Sequence, residues 1–314
     1  MTKNATIEKK YINSPNKRVH HKGDIFFYVA LLAIPLIQLG IFYFGVNIQS
    51  ILMAFQKYDA YNNKFIFDVS ANWNEFMIAV KSKDFWIMFK NSIIVWIAFS
   101  LSGTVLAVFF SYYIYKRRTL CNVFKFVLFL PSIIPSVLLV IMGKNFFSST
   151  GLPVLTESYL GFKFPNFFET PQSQLIYITI FSIWISFGSQ VLVYTGAMDQ
   201  IPTEITEAAK LDGASSFREF LSIIVPLILP TVSTFIVAGI AGIFTNQCNL
   251  YSFCGSGADP SIRNVGYYMY ICIQDSNVGG ISKYCYISFL GLLFSAITVP
   301  LAFGVKKLLE KVTK

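Results

Sequence analysis

Followed for its alternation of apolar and polar positions, the chain falls into six long apolar runs, at about 25 to 46, 92 to 115, 126 to 142, 174 to 196, 226 to 247 and 285 to 305. Most approach the roughly 20 residues that a helix needs to cross a hydrocarbon core. None shows the two-residue alternation of a barrel strand, and a helix pairs its own backbone amides in lipid. The expected fold is therefore an all-α integral membrane protein with six transmembrane helices. Its organisation is a polar tail 1–24, one membrane domain 25–305 and a short basic tail 306–314. The third run is short and contains Pro131 and Pro135, which with Pro35 and Pro230 predict kinks or helix starts.

Composition agrees with this pattern. Of the 314 residues 54% are hydrophobic and 13% charged, whereas a soluble domain carries about a quarter charged residues. The first run is longer than a signal-peptide core, and no small-residue cleavage site follows where "GVNIQSILMAF" continues, so it reads as a retained helix. With the N-terminus inside, the inner segments hold 16 of the 25 Lys and Arg residues, among them Lys9, Lys10, Arg117, Arg118, Lys210, Arg218 and Lys306. That bias places both termini in the cytoplasm. The net charge of +9 then reads as topology and contact with anionic lipid headgroups, not as nucleic-acid binding.

Enzyme chemistry is poorly provided for. No Gly-x-x-x-x-Gly-Lys-Ser/Thr loop is present to cradle phosphates. The two histidines, His20 and His21, sit in the polar N-terminal tail, so neither a metal site nor a cofactor site is expected. Cys121 falls at the inner end of the third run. Cys248, Cys254, Cys272 and Cys285 gather around the last outer loop, either as small apolar packers or as disulfide partners facing an oxidising exterior.

One polar connection is more structured than the rest. The stretch "EAAKLDGASSFREFLSIIVPLILP", residues 207 to 230, begins between the fourth and fifth runs. Thr203, after Pro202, is placed to cap a short helix with Ile205, Ala208, Ala209 and Leu211 toward one side, and Gly213 to end it. Ser216 followed by Glu219 has the form of a capping box, with Phe217, Phe220, Leu221 and Ile224 on one face of a second helix. Helix signals alone leave two readings: an amphipathic pair resting on the membrane, or a docking element.

Glu207-Ala208-Ala209, Asp212-Gly213-Ala214, Phe220, Ile223, Val225-Pro226 and Pro230 resemble the EAA motif of permease subunits of binding-protein-dependent ABC importers, with Val225 where Leu is commoner. "FWIMFKNSIIVWIAFSLSGTVLAVFFSYYI", entered through Asn91, is similar to the second helix of carbohydrate-importer permeases, and "FLPSIIPSVLLVIMGKNFF" to their third. "VGYYMYICI", with Tyr267, Tyr268 and Tyr270, resembles the segment before their last helix. The likeness covers most of residues 25 to 305. It departs in two outer loops: "GKNFFSSTGLPVL" replaces a Trp and Gly-x-x-Asn turn, and "CGSGADPSIRN" replaces a Gly-Gly-Pro turn.

The resemblance implies a cytoplasmic coupling loop at about 197–225, between helices 4 and 5, in which Glu207, Ala208, Ala209, Asp212, Gly213, Ala214, Phe217 and Phe220 meet an ATPase. It implies that this chain is a transport subunit of a bacterial cell membrane and not an enzyme, with ATP and Mg held by two copies of a cytoplasmic ABC ATPase. A second, homologous permease would complete a heterodimer, and an extracellular solute-binding protein would deliver a carbohydrate, most simply an oligosaccharide. The outer connection 55–91 either contacts that protein or is a solvated connector. Candidates for the substrate path are polar or aromatic residues within the runs, above all Trp184, Gln190, Tyr194, Asn246 and Gln247, against the plain alternative of helix packing. Another small solute, such as a glycerol phosphate or an amino acid, remains open, as does a self-sufficient channel or secondary transporter. Against the latter, no intramembrane charge pair or inverted repeat is evident. A membrane scaffold without transport is the third class.

Overall fold

The computed structural model describes residues 22–148, 151–162, 164–279 and 282–312. The chain divides into two compact units, Met1–Leu52 and Met53–Lys314. In the first, α1 (Lys22–Gln38) passes through a π-helical segment, Leu39–Gly45, into α2 (Val46–Ala54). Pro35 lies inside α1 and has no N–H for the preceding turn, and the ladder resumes just beyond it with wider spacing. From Phe27 onward the large apolar side chains are exposed, as suits a helix that faces lipid.

The second unit opens with a hairpin in which β1 (Gln56–Asp59) pairs antiparallel with β2 (Lys64–Phe67), Gln56 opposite Phe67. It leads into α3 (Val69–Lys81). The Asp68 carboxylate caps α3, accepting from the Ala71 amide at 3.3 Å and from the Ser70 hydroxyl, and these bonds hold its carboxyl below the usual range. The buried Asn72 amide donates to the carbonyls of Ala54 and Gln56 at 3.0 and 2.9 Å. The polar connection 55–91 is thus an ordered hairpin and helix, a small exception to an otherwise helical chain.

There follow α4 (Lys83–Tyr115), α5 (Cys121–Ile133), α6 (Ser136–Phe147), α7 (Leu152–Leu160), α8 (Pro171–Met198) and α9 (Thr203–Leu211). Next, α10 (Ser216–Glu219) runs through a π-helical segment, Phe220–Ile224, into α11 (Val225–Ala241). Last come α12 (Leu250–Cys254), α13 (Val265–Gly279) and α14 (Ser282–Val312). Among the described residues six stretches are long and apolar enough to cross a membrane: Phe27–Ala54, Lys83–Tyr115, Ser136–Leu160, Pro171–Met198, Ser216–Ala241 and Lys283–Lys311.

The apolar runs marked these spans but not their ends. The run expected at 126 to 142 is shared between α5 and α6, which part at Ile134, extended (ψ 136°) because Pro135 excludes the helical conformation from the residue before it, so the third spanning stretch begins only at Ser136. The fourth and second begin earlier, at Pro171 and Lys83, on polar first turns. The fifth ends at Ala241, so Asn246 and Gln247 lie beyond the helix rather than within it.

α4 and α8 run parallel at the centre. Gly103 lies near Ile183, Phe110 beside Phe187, and the Ser111 hydroxyl donates to the Val191 carbonyl at 3.0 Å. α5 and α6 run the opposite way along α8, with Leu128 against Gly188 and Gly143 against Tyr177 and Phe181. Where α4 and α8 finish, Val108, Ile114, Val191, Tyr194 and Met198 form a core with Ile224 and Ile228. At the other end Phe85 and Met88 pack with Ile240, Phe244, Tyr286, Leu290 and Phe294.

A Cβ on Gly188 would lie 2.2 Å from the Leu128 carbonyl oxygen, so this contact requires backbone on both sides. Gly188→Ala should lower stability by about 3 kcal/mol, seen as a lower melting temperature in detergent. Gly196→Ala, on the same helix with open space around it, should melt as the parent does. None of the five cysteines is in a disulfide, which favours their role as small packers. Unreduced, denatured protein should therefore take up five equivalents of a thiol reagent; fewer would indicate a disulfide.

Candidate functional site

The connection after α8 is built around a helix that stops sharply. Gly213, at φ 74°, occupies the left-handed conformation that terminates α9. The Gly213 amide donates to the Lys210 carbonyl at 3.1 Å and the Ala214 amide to the Ala209 carbonyl at 2.9 Å, the paired bonds of a Schellman motif. This outcome agrees with the role expected of Gly213. The caps differ. Pro202, not Thr203, is the residue before α9, and Thr203 is its first helical position. Ser215, not Ser216, caps the next helix, its hydroxyl accepting from the Arg218 amide at 3.3 Å.

Glu219 does not reach back to close a capping box. It is 2% exposed and forms an ion pair with Lys116, the residue that follows α4. The second short helix, α10, does not stand apart, since residues 216–241 run on without a break into the fifth span. Phe220 and Ile224 are buried while Phe217 and Leu221 are exposed, so the four do not share one face. The π-helical turn between them alters the angular spacing on which that expectation relied.

The resulting element has an anchored side and an open side. On α9, Thr206 and Ala209 are buried, whereas Ile205, Glu207, Ala208, Lys210, Asp212 and Gly213 are exposed and Ala214 is half-buried. Leu211 and Phe217 are 90% and 64% exposed. Phe220, by contrast, is an anchor: its ring lies 5.0 Å from Phe109 and 4.8 Å from Tyr112. The eight residues singled out in this connection are therefore brought together, but Ala209 and Phe220 face the bundle.

The opposite end of α11 leads into a segment of turns and short helices, 242–264, whose own backbone bonds are supplemented by side chains from other elements. Asn91 donates to the carbonyls of Ser261 and Arg263 at 2.8 and 2.9 Å. Ser92 accepts from the Val265 amide at 2.9 Å, Ser182 donates to the Cys248 carbonyl at 3.0 Å, and Lys144 donates to the Phe253 carbonyl at 3.1 Å. Asn246 belongs to this segment: its side-chain oxygen accepts from the Cys248 amide at 2.8 Å. It also lines a pocket of about 110 Å³ with Ser92, Trp96, Gly239 and Asn264.

The other candidate path residues are dispersed. The side-chain carbonyls of Gln190 and Gln247 are buried without a hydrogen-bond partner, and so is the Trp96 indole N–H. Tyr194 is wholly buried, packed edge-on against Phe235 at 5.2 Å. Trp184 is partly exposed on α8 and borders an apolar groove with Met142, Phe146 and Phe181. Trp96 was missed because it sits within an unbroken apolar run, where only the fold reveals that its N–H lacks a partner. Among the described residues no cluster of His, Cys, Asp and Glu could hold a metal ion.

Comparison with known proteins places this geometry in context. The multiple sugar-binding transport system permease protein MsmF of Streptococcus mutans is 23% identical over 251 residues, 79% of this chain and 85% of MsmF. The maltose/maltodextrin transport system permease protein MalF of Photorhabdus laumondii is 26% identical over 191 residues, 57% of this chain but only 36% of MalF. A solved bacterial alginate ABC transporter, in complex with an alginate pentasaccharide-bound periplasmic protein, contains a chain of the same fold, with a TM-score of 0.74 at 20% identity over 93% of this chain and 96% of that one. Residues 103–314 match the model of the binding-protein-dependent transport system inner membrane component. With two thirds of its length so matched, this protein belongs to that family of bacterial inner-membrane permeases.

Proposed function

We propose that this chain is one of two different membrane-spanning subunits of an ABC importer, forming half of the path for an oligosaccharide. Both termini lie in the cytoplasm, and the connection 197–225 is a cytoplasmic coupling loop. The observation that carries the reading is the open side of α9. Leu211 at the end of α9 and Phe217 on α10 are exposed, and the neighbouring Glu204, Glu207, Lys210 and Asp212 are exposed as well. Covering one such side chain gains about 1.5–3 kcal/mol, and an apolar tip ringed by charges suits a cleft on a soluble partner better than lipid.

That partner is a cytoplasmic ATPase, present in two copies, which supplies the ATP and Mg for which this sequence has no phosphate-binding loop. Glu207, Ala208, Asp212, Gly213, Ala214 and Phe217 make its contact surface, with Ala209 and Phe220 holding that surface to the bundle. An extracellular binding protein hands over the solute. The carbohydrate assignment is supported by relatives named for sugar and maltodextrin transport. Along the path, Gln190, Asn246 and Gln247 offer amide groups to solute hydroxyls and Trp184 an aromatic face, while Tyr194 acts through packing.

Isolation from the native membrane in mild detergent should bring down a P-loop ATPase and a second permease with the parent chain. A β-branched residue at φ 74° costs roughly 1–2 kcal/mol. Gly213→Val should accordingly insert at parental levels, release the ATPase and abolish sugar uptake. Normal uptake by that variant would remove the coupling assignment. Recovery of the parent chain alone would point to a channel or secondary transporter.

A further inference from the structure

The last turn of α4 touches both helices of the 197–225 connection. Tyr112, Tyr115 and Lys116 are three and four residues apart and so share one face of the helix. The Tyr112 hydroxyl donates to the Ser216 carbonyl at 2.9 Å, Tyr115 lies beside Thr206 of α9, and Lys116 pairs with Glu219. The Lys116 ammonium also lies 5.6 and 5.8 Å from the centres of the Tyr112 and Tyr115 rings. Each charge stands at the helix pole that favours it, Lys116 at the C-terminal end of α4 and Glu219 in the first turn of α10.

We infer that Lys116 and Glu219 are positioning residues for energy coupling: their ion pair clamps the end of α4 to the head of the fifth span, so that displacement of the connection moves both helices together. The inference rests on the coupling role proposed above. Two further observations support it. A buried ion pair often stabilises a fold no better than an apolar pair of similar volume, so stability alone does not account for this one. The π-helical segment Phe220–Ile224 begins directly after Glu219, and π-helical turns occur frequently at functional sites. A push on α9 and α10 would thus reach α4 through the ion pair and α11 through the continuous helix backbone.

The test is ATP hydrolysed per solute imported by the assembled importer in vesicles. Removing one partner strands a buried charge and lowers assembly for purely structural reasons, so the decisive variant removes both, Lys116→Met with Glu219→Leu. It should melt close to the parent and bind the ATPase, yet consume about tenfold more ATP per solute. Lys116→Arg, which preserves the pair, should keep the parental ratio. A parental ratio in the double variant would overturn the inference, because apolar packing would then suffice. If the double variant does not assemble, the ratio in the uncharged pair Lys116→Met with Glu219→Gln decides: a rise supports the clamp and a parental value removes it. Gly213→Val run in parallel separates the two readings. Normal uptake there removes the coupling role itself, whereas an uncoupled Gly213→Val beside a parental double variant removes only the clamp.

Discussion

Inside a bilayer no water is available to pair a backbone amide, and this constraint shapes every part of the chain that the membrane encloses. Helices satisfy it locally, which is why long apolar runs become the six spans. Where the helix fails, the cause is identifiable. Pro135 forces Ile134 out of helical conformation, and the third apolar run becomes two helices, α5 and α6, held along α8. The segment 242–264 is the largest departure. It follows the fifth span, pairs much of its backbone through turns of its own, and receives further bonds from Asn91, Ser182 and Lys144 on three other helices. Polar residues that looked like path candidates or membrane-entry markers thus have a structural task as well.

Association of the spans follows from the same setting. Lipid tails are as apolar as leucine, so helices gain little by merely hiding apolar surface from them and depend on close packing and hydrogen bonds instead. Gly188 brings α8 onto the backbone of α5, Gly143 brings α6 onto the rings of Tyr177 and Phe181, and Ser111 links α4 to α8 within a buried core. Aromatic rings fill the remaining space: Phe89, Phe244 and Phe294 stack in sequence, with centroids 5.0 and 4.5 Å apart.

At the 197–225 connection the physics changes, because its surface carries exposed charges and one buried charge is paired. A terminated helix with an open apolar tip is held by tyrosines and one ion pair to a spine that runs the length of the bundle. The arrangement separates two tasks that the sequence motif blends. Residues such as Leu211 and Phe217 face outward, and residues such as Thr206, Ala209, Glu219 and Phe220 face the bundle.

Local signals sufficed wherever the physics is local. Run length predicted the spans, and a glycine between two helix-forming stretches predicted the left-handed turn at Gly213, because only residues a few positions away decide those features. Two-fold alternation is weak in the short strands 56–59 and 64–67, so the hairpin was not legible. Tertiary structure alone decided the rest. Glu219 reads as a capping residue until Lys116, 103 positions earlier, is brought beside it. Phe220 reads as contact surface until Phe109 and Tyr112 enclose it. Trp96 reads as one more apolar residue until its N–H is found unpaired beside Gly239. A sequence carries the periodicity of each helix, but which face meets which neighbour depends on pairings across the bundle that no local pattern encodes.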